Sequence, residues 1–125
     1  MTSIEIPNRV TTIGDWAFLN CSGVTSITIP DSVTSIGGSV FSNCSGLKSV
    51  IIGANISTIG YDAFRLCSDL TSVYYKGTAG DWEKINIGEV NNYYFINATR
   101  YYYSETQPTE SGNYWHYVDG VVTKW

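Results

Sequence analysis

Three cysteines, Cys21, Cys44 and Cys67, recur at an interval of 23 residues. The chain around each recurs with them: Asn20-Cys-Ser-Gly, Asn43-Cys-Ser-Gly and Leu66-Cys-Ser-Asp. The same step carries Ile13, Ile36 and Ile59, the glycines Gly14, Gly37 and Gly60 that follow them, and Phe18, Phe41 and Phe64, without one insertion or deletion. A fixed period in the twenties marks a solenoid, whose units cannot bury their own apolar edges and must stack on one another. With 125 residues, the chain has the length of about one domain.

Within a unit, Val24-Thr-Ser-Ile-Thr-Ile-Pro30 alternates apolar with small polar residues, the period of a half-buried strand, and the segments from Leu47 and Leu70 repeat it. Asp31-Ser-Val-Thr-Ser-Ile-Gly37 reads as a second extended piece closed by a glycine in a tight turn or at positive φ. Asp15-Trp-Ala-Phe-Leu-Asn-Cys21 and its copies space apolar residues three or four apart, which predicts a short helical turn. Ile27, Ile29, Val33, Ile36, Val40, Phe41, Cys44 and Leu47 are the expected core, each stacked on its equivalents in adjacent coils.

Asp31 to Cys44, with Ile-x-Ile-Pro before it, resembles the 23-residue leucine-rich repeat of BspA-like (Treponema-type) bacterial surface proteins. The resemblance covers residues 1–76, about three and a half coils, with Val40 standing where Ala17 and Ala63 occupy the other units. It implies a right-handed coil with a parallel β-sheet and short helical turns. It also implies a place at the cell surface or outside the cell, and a part in adhesion. The first coil opens part-way through a repeat, which predicts further coils upstream. It also predicts an uncovered apolar layer at Ile4, Ile6, Val10 and Ile13, where an unpaired edge can recruit a second copy.

From Gly77 the period disappears and Tyr, Trp and Asn replace Ser, Thr and Ile, so residues 77–125 read as a β-rich aromatic cap. Thr78 to Ile85 predicts a short helix covering the last layer with Trp82 and Ile85, and 98–104 predicts a strand at the end of the sheet. Tyr114–Val118 and Val121–Trp125 flank Asp119-Gly120, a hairpin signal with a type I′ turn.

Composition and motif spacing exclude several function classes. Seven basic against eleven acidic residues, with no basic cluster, leave no footprint for nucleic acid. No run of 18 apolar residues predicts a membrane span. Three cysteines 23 apart match no zinc or redox spacing and read as reduced, buried fillers of one ladder. His116 is the single histidine, and Asp81 and Glu83 sit at a helix start that favours acidic residues. No catalytic residue, metal ligand or cofactor is expected. Asn20, Asn43, Asn55 and Asn97 head Asn-x-Ser/Thr sequons, but Asn20 and Asn43 occupy equivalent turn positions where backbone hydrogen bonding accounts for them.

The expected function is a non-catalytic interaction or adhesion module of a bacterial surface or secreted protein. Its partner would be a protein from a host or neighbouring cell, docked on the concave sheet face. The candidate contact residues are Glu5, Thr28, Ile51, Tyr74 and Lys76, which vary from coil to coil on the solvent side of the strands. A carbohydrate bound by the cap aromatics Trp115, Tyr117 and Trp125 is one alternative, and a structural spacer is another.

Overall fold

The computed structural model describes residues 3–125. In each coil the alternating segment forms one rung of a long parallel sheet: β1 (Ser3–Glu5), β3 (Ser26–Ile29), β5 (Ser49–Ile52) and β7 (Ser72–Tyr75). The second extended piece forms a rung of a smaller parallel sheet: β2 (Thr12–Ile13), β4 (Ser35–Ile36) and β6 (Thr58–Ile59). Every pairing joins equivalent residues, Ser3 to Ser26 to Ser49 to Ser72 in one sheet and Ile13 to Ile36 to Ile59 in the other. The pleat turns Ile27, Ile29, Val50, Ile52, Val73 and Tyr75 inward, and all are buried. All eight residues of the expected core, from Ile27 to Leu47, are buried as well. Removing each large apolar side chain of this set from water contributes about 1.5–3 kcal/mol, the main support of these four rungs, which no tight hairpin joins.

The third wall of each coil is not the helical turn the spacing predicts. Trp16, Ser39 and Asp62 in one column, and Asn20, Asn43 and Leu66 in another, hold positive φ, which a right-handed helix forbids. Their amides reach across to the next coil instead. Trp16 N–H donates to Gly38 O (3.1 Å), Phe18 N–H to Val40 O (2.9 Å) and Asn20 N–H to Ser42 O (2.9 Å), and the next coil repeats the pattern. An amide side-chain rung runs beside these bonds, Asn43 Nδ2 donating to Asn20 Oδ1 at 2.9 Å. The three-to-four spacing arises because Phe18, Phe41 and Phe64 face inward and stack, at 5.5 Å and 5.3 Å between centroids. The glycine expectation is also corrected. Gly37 and Gly60 do not have positive φ, and a Cβ on Gly60 would lie 2.6–2.7 Å from the backbone of Gly37 and Gly38. Close approach of the stacked coils is what requires glycine there.

The ladders continue beyond Gly77 although the 23-residue step does not. After α1 (Ala79–Glu83), β8 (Asn86–Ile87) pairs with β6; after α2 (Tyr93–Asn97), β9 (Thr99–Tyr103) pairs with β7, bringing Thr99 beside Ser72. Phe95 on α2 extends the phenylalanine stack, 4.3 Å from Phe64. The longer coil leaves no backbone carbonyl for Phe64 N–H, and the buried Asn92 supplies one: its Oδ1 accepts that amide at 2.9 Å. Its Nδ2 donates to Gly60 O and Gly88 O.

The short helix forms as the sequence predicts. Thr78 caps it, its hydroxyl accepting from Asp81 N–H while the Asp81 carboxylate accepts from Thr78 N–H, and Trp82 and Ile85 are buried beneath. The hairpin also forms: β10 (Tyr114–Val118) and β11 (Val121–Lys124) pair around Asp119 and Gly120, both at positive φ as a type I′ turn requires. β10 joins β9 in parallel, so among the described residues the long sheet has seven strands with β1 and β11 at its edges. At the β1 end, Ile4, Ile6, Val10, Ile13 and Phe18 line an apolar hollow of about 340 Å³.

Candidate functional site on the outward face of the long sheet

Residues that alternate with the core strip point away from it. Parallel register therefore sets Glu5, Thr28, Ile51 and Tyr74 in one row across β1, β3, β5 and β7, and Tyr101 of β9 completes it. Ser3, Ser26, Ser49, Ser72 and Thr99 run alongside. The sequence reading found the first four members of this row. Tyr101 escaped it because Tyr74 and Tyr101 are 27 residues apart rather than 23. The two phenol rings stack at 5.0 Å. Lys76, just past the end of β7, pairs with Asp31 at 3.4 Å; both side chains are partly exposed, so the pair adds little stability and serves to fix two opposite charges beside the row.

The C-terminal hairpin does more than extend the sheet, for it curls over the outward face. Trp115 lies beside Tyr103 in register, yet its indole N–H reaches Tyr75 O on β7 at 2.8 Å. Its ring meets Tyr74, Tyr103 and Tyr117 edge-on at 5.7, 5.2 and 5.0 Å. From β11, the Lys124 ammonium lies 5.0 Å from the centre of the Tyr101 ring, and a hydrogen bond with that phenol raises its pKa. Tyr74 is thereby half-enclosed at one end of the row, while Glu5 at the other end is exposed.

Trp115 is 0% exposed, so it has no ring face to offer a ligand, and its place is that of an anchor. Trp125 is 46% exposed, stacked on His116 at 3.8 Å, with its indole N–H held by Ser104 O at 2.7 Å. Tyr117 is 37% exposed and stands over the sheet. Its ring closes one side of a hollow of about 430 Å³ whose other sides include Asn8, Thr28, Pro30, Asp31, Ile51 and Lys76. Burial raises the Tyr117 pKa, against the opposing pull of Lys76, and the phenol is neutral at physiological pH. Ser32 Oγ, also at this hollow, is buried and has no hydrogen-bond partner among the described residues.

The other chemically able groups are engaged locally. Asp81, whose pKa is lowered by the Thr78 backbone and hydroxyl, closes the helix cap. Among the described residues no group of three or more His, Cys, Asp or Glu gathers as metal ligands. The thiols are free. Cys44 and Cys67 donate to Phe18 O and Phe41 O, and burial pushes their pKa values to about 11 and about 12. Among the described residues, no helix is long and apolar enough to cross a membrane.

The family model described as the BspA type leucine rich repeat region, in six copies, matches residues 1–100. The chain belongs to the BspA-type leucine-rich repeat family. The match passes beyond Gly77 and ends at residue 100, at the start of β9. Among solved structures, a leucine rich cell surface protein from Faecalibacterium prausnitzii A2-165 is similar, with 26% identity and a TM-score of 0.44. The alignment covers 69% of this chain and 35% of that one, so this chain spans about a third of its neighbour. No curated protein matches significantly.

Proposed function

We propose that this chain is a non-catalytic interaction module of a bacterial surface or secreted protein, docking an extended segment of a protein partner across the row Glu5, Thr28, Ile51 and Tyr74. The observation that supports this reading is the row itself: an in-register strip on a parallel sheet, whose side chains change from acidic to hydroxyl to aliphatic to aromatic while the buried strip behind them stays apolar. Uniformly apolar packing behind a varied face suits a surface that selects partners. Membership of the BspA-type family favours display outside the cell.

The test is biolayer interferometry of the chain against purified matrix proteins such as fibronectin, fibrinogen, laminin and collagen. The expected result is binding that Ile51→Asp and Thr28→Arg abolish while Arg65→Glu, on the turn wall, preserves it. Binding insensitive to both face variants would move the site elsewhere. Absence of binding across the panel would favour the spacer reading.

A further inference from the structure

The hollow under Tyr117 opens on the same face and shares Thr28 and Ile51 with the proposed docking row, but its lining has a chemistry of its own. We infer that it is a binding site for a neutral saccharide, with one sugar ring stacked on Tyr117 and its hydroxyls met by Asp31, Lys76, Asn8 and Thr28.

Three observations carry this. First, the volume of about 430 Å³ lies within the range of small-molecule sites, about 300–1,000 Å³. Second, one wall is a preorganised aromatic ring. Trp115 packs roughly perpendicular to Tyr117 at 5.0 Å and is itself tied to Tyr75 O, so the phenol has a fixed neighbour that narrows its freedom before any ligand arrives. A fixed ring costs little entropy on binding and presents a flat face to the C–H side of a pyranose.

Third, the polar groups suit hydroxyls rather than ions. Asp31 and Lys76 already neutralise each other at 3.4 Å, so an ionic ligand would have to break that pair, whereas a hydroxyl can donate to the carboxylate and accept from the ammonium together. Asp31 is fixed independently by Ala54 N–H, which donates to its Oδ1 at 2.8 Å. Asn8 and Thr28 each offer both a donor and an acceptor. The exposed Trp125, the more obvious candidate by residue type, has one face on His116 and its N–H spent on Ser104 O.

The experiment is a titration of the 15N-labelled chain with the methyl glycosides of glucose, galactose, mannose and N-acetylglucosamine, up to about 20 mM to reach weak affinities. Saturation-transfer measurements on the sugars run alongside. At least one glycoside is expected to shift the amides of Thr28, Asp31, Ile51 and Tyr117. Tyr117→Ala is expected to weaken binding at least about tenfold, Tyr117→Phe by no more than about threefold, and Asp31→Asn by about three- to tenfold, since Asn keeps the Ala54 bond but loses the charge-assisted one. Unchanged thermal melting of the variants checks their folding. No binding by any glycoside, shifts gathered around Trp125 instead, or affinity indifferent to Tyr117→Ala in a folded variant would each overturn the inference.

Discussion

Asn92 tests how the array survives the loss of its period. In the regular coils a main-chain carbonyl receives each phenylalanine amide: Val40 O takes Phe18 N–H and Ala63 O takes Phe41 N–H. At Phe64 the acceptor is Asn92 Oδ1, from a residue with 0% exposure, and both Nδ2 protons go to carbonyls, Gly60 O and Gly88 O. Asn92→Ala therefore leaves one donor and two acceptors without this partner. Each unsatisfied buried group costs about 1–3 kcal/mol. Gly60 O retains a long bond from Ala63 N–H and water can enter the space, so the expected loss is about 2–5 kcal/mol. Asn92→Asp keeps the acceptor but turns a carboxylate oxygen toward two carbonyls. Burial and those dipoles raise the pKa of the new carboxyl above its unfolded value of roughly 3.9. Its folded form is thus favoured while protonated, and the deficit grows as pH rises through the raised value. Urea unfolding followed by tryptophan fluorescence should show the Asp variant recovering between pH 7 and pH 4 relative to the parent, with the Ala deficit unchanged. A loss below about 1 kcal/mol for Asn92→Ala, with the Phe64 amide still protected from hydrogen exchange, would refute the surrogate-backbone role.

Glycine substitutions should separate sharply: Gly60→Ala meets the Gly37 backbone at 2.6 Å and should cost more than about 2 kcal/mol in chemical unfolding, whereas Gly14→Ala meets nothing within 4 Å and should be near neutral. Trp115→Ala should cost about 3–5 kcal/mol and release the hairpin amides to exchange, while Trp125→Ala, from a half-exposed ring, should cost at most about 1.5 kcal/mol. Native-state alkylation at pH 8 should modify Cys21, the partly exposed thiol, well before Cys44 and Cys67, whose pKa values near 11 and 12 keep them protonated. Because those values are raised, the thiols' contribution is complete below about pH 9 and lost as pH climbs toward 11 and 12; the urea midpoint of Cys67→Ala should fall less between pH 8 and pH 10.5 than that of the parent.

What the sequence made legible follows the period closely. Where 23 residues separate equivalents, strand, register, facing and burial all follow, because a parallel ladder allows no freedom once one rung is placed. Legibility failed first at the turn wall: the spacing of Ala17 and Phe18 to Cys21 resembles a helix, and the positive φ values at Trp16 and Asn20 distinguish it. Asn recurring at 20 and 43 was the available signal, since Asn tolerates that region better than other non-glycine residues. It failed again after Gly77, where Phe95 and Thr99 rejoin their ladders at intervals no periodic search can expect, and where Asn92 carries a main-chain role in a side chain. The candidate site was half legible: strand alternation placed Glu5, Thr28, Ile51 and Tyr74 together, but a hairpin is predicted by its turn, and the direction in which it curls depends on where Trp115 finds an acceptor.

That direction links the end of the fold to the proposed function. A parallel stack can add another rung only by way of a further crossover, whereas an antiparallel turn reverses the chain in two residues and ends the series. β10 continues the parallel sheet for one strand and β11 then reverses. The aromatic side chains of β10 on the outward face fold back onto Tyr74 and Tyr103. The row is consequently uneven: Thr28, Ile51, Tyr74 and Tyr101 are half-buried and Glu5 is exposed. A partner docked as proposed should depend more on Glu5 than on Tyr74, whose loss would act through the hairpin. If Tyr74→Ser weakened partner binding while leaving the β10 amides protected, Tyr74 would be a direct contact and the hairpin no barrier at that end.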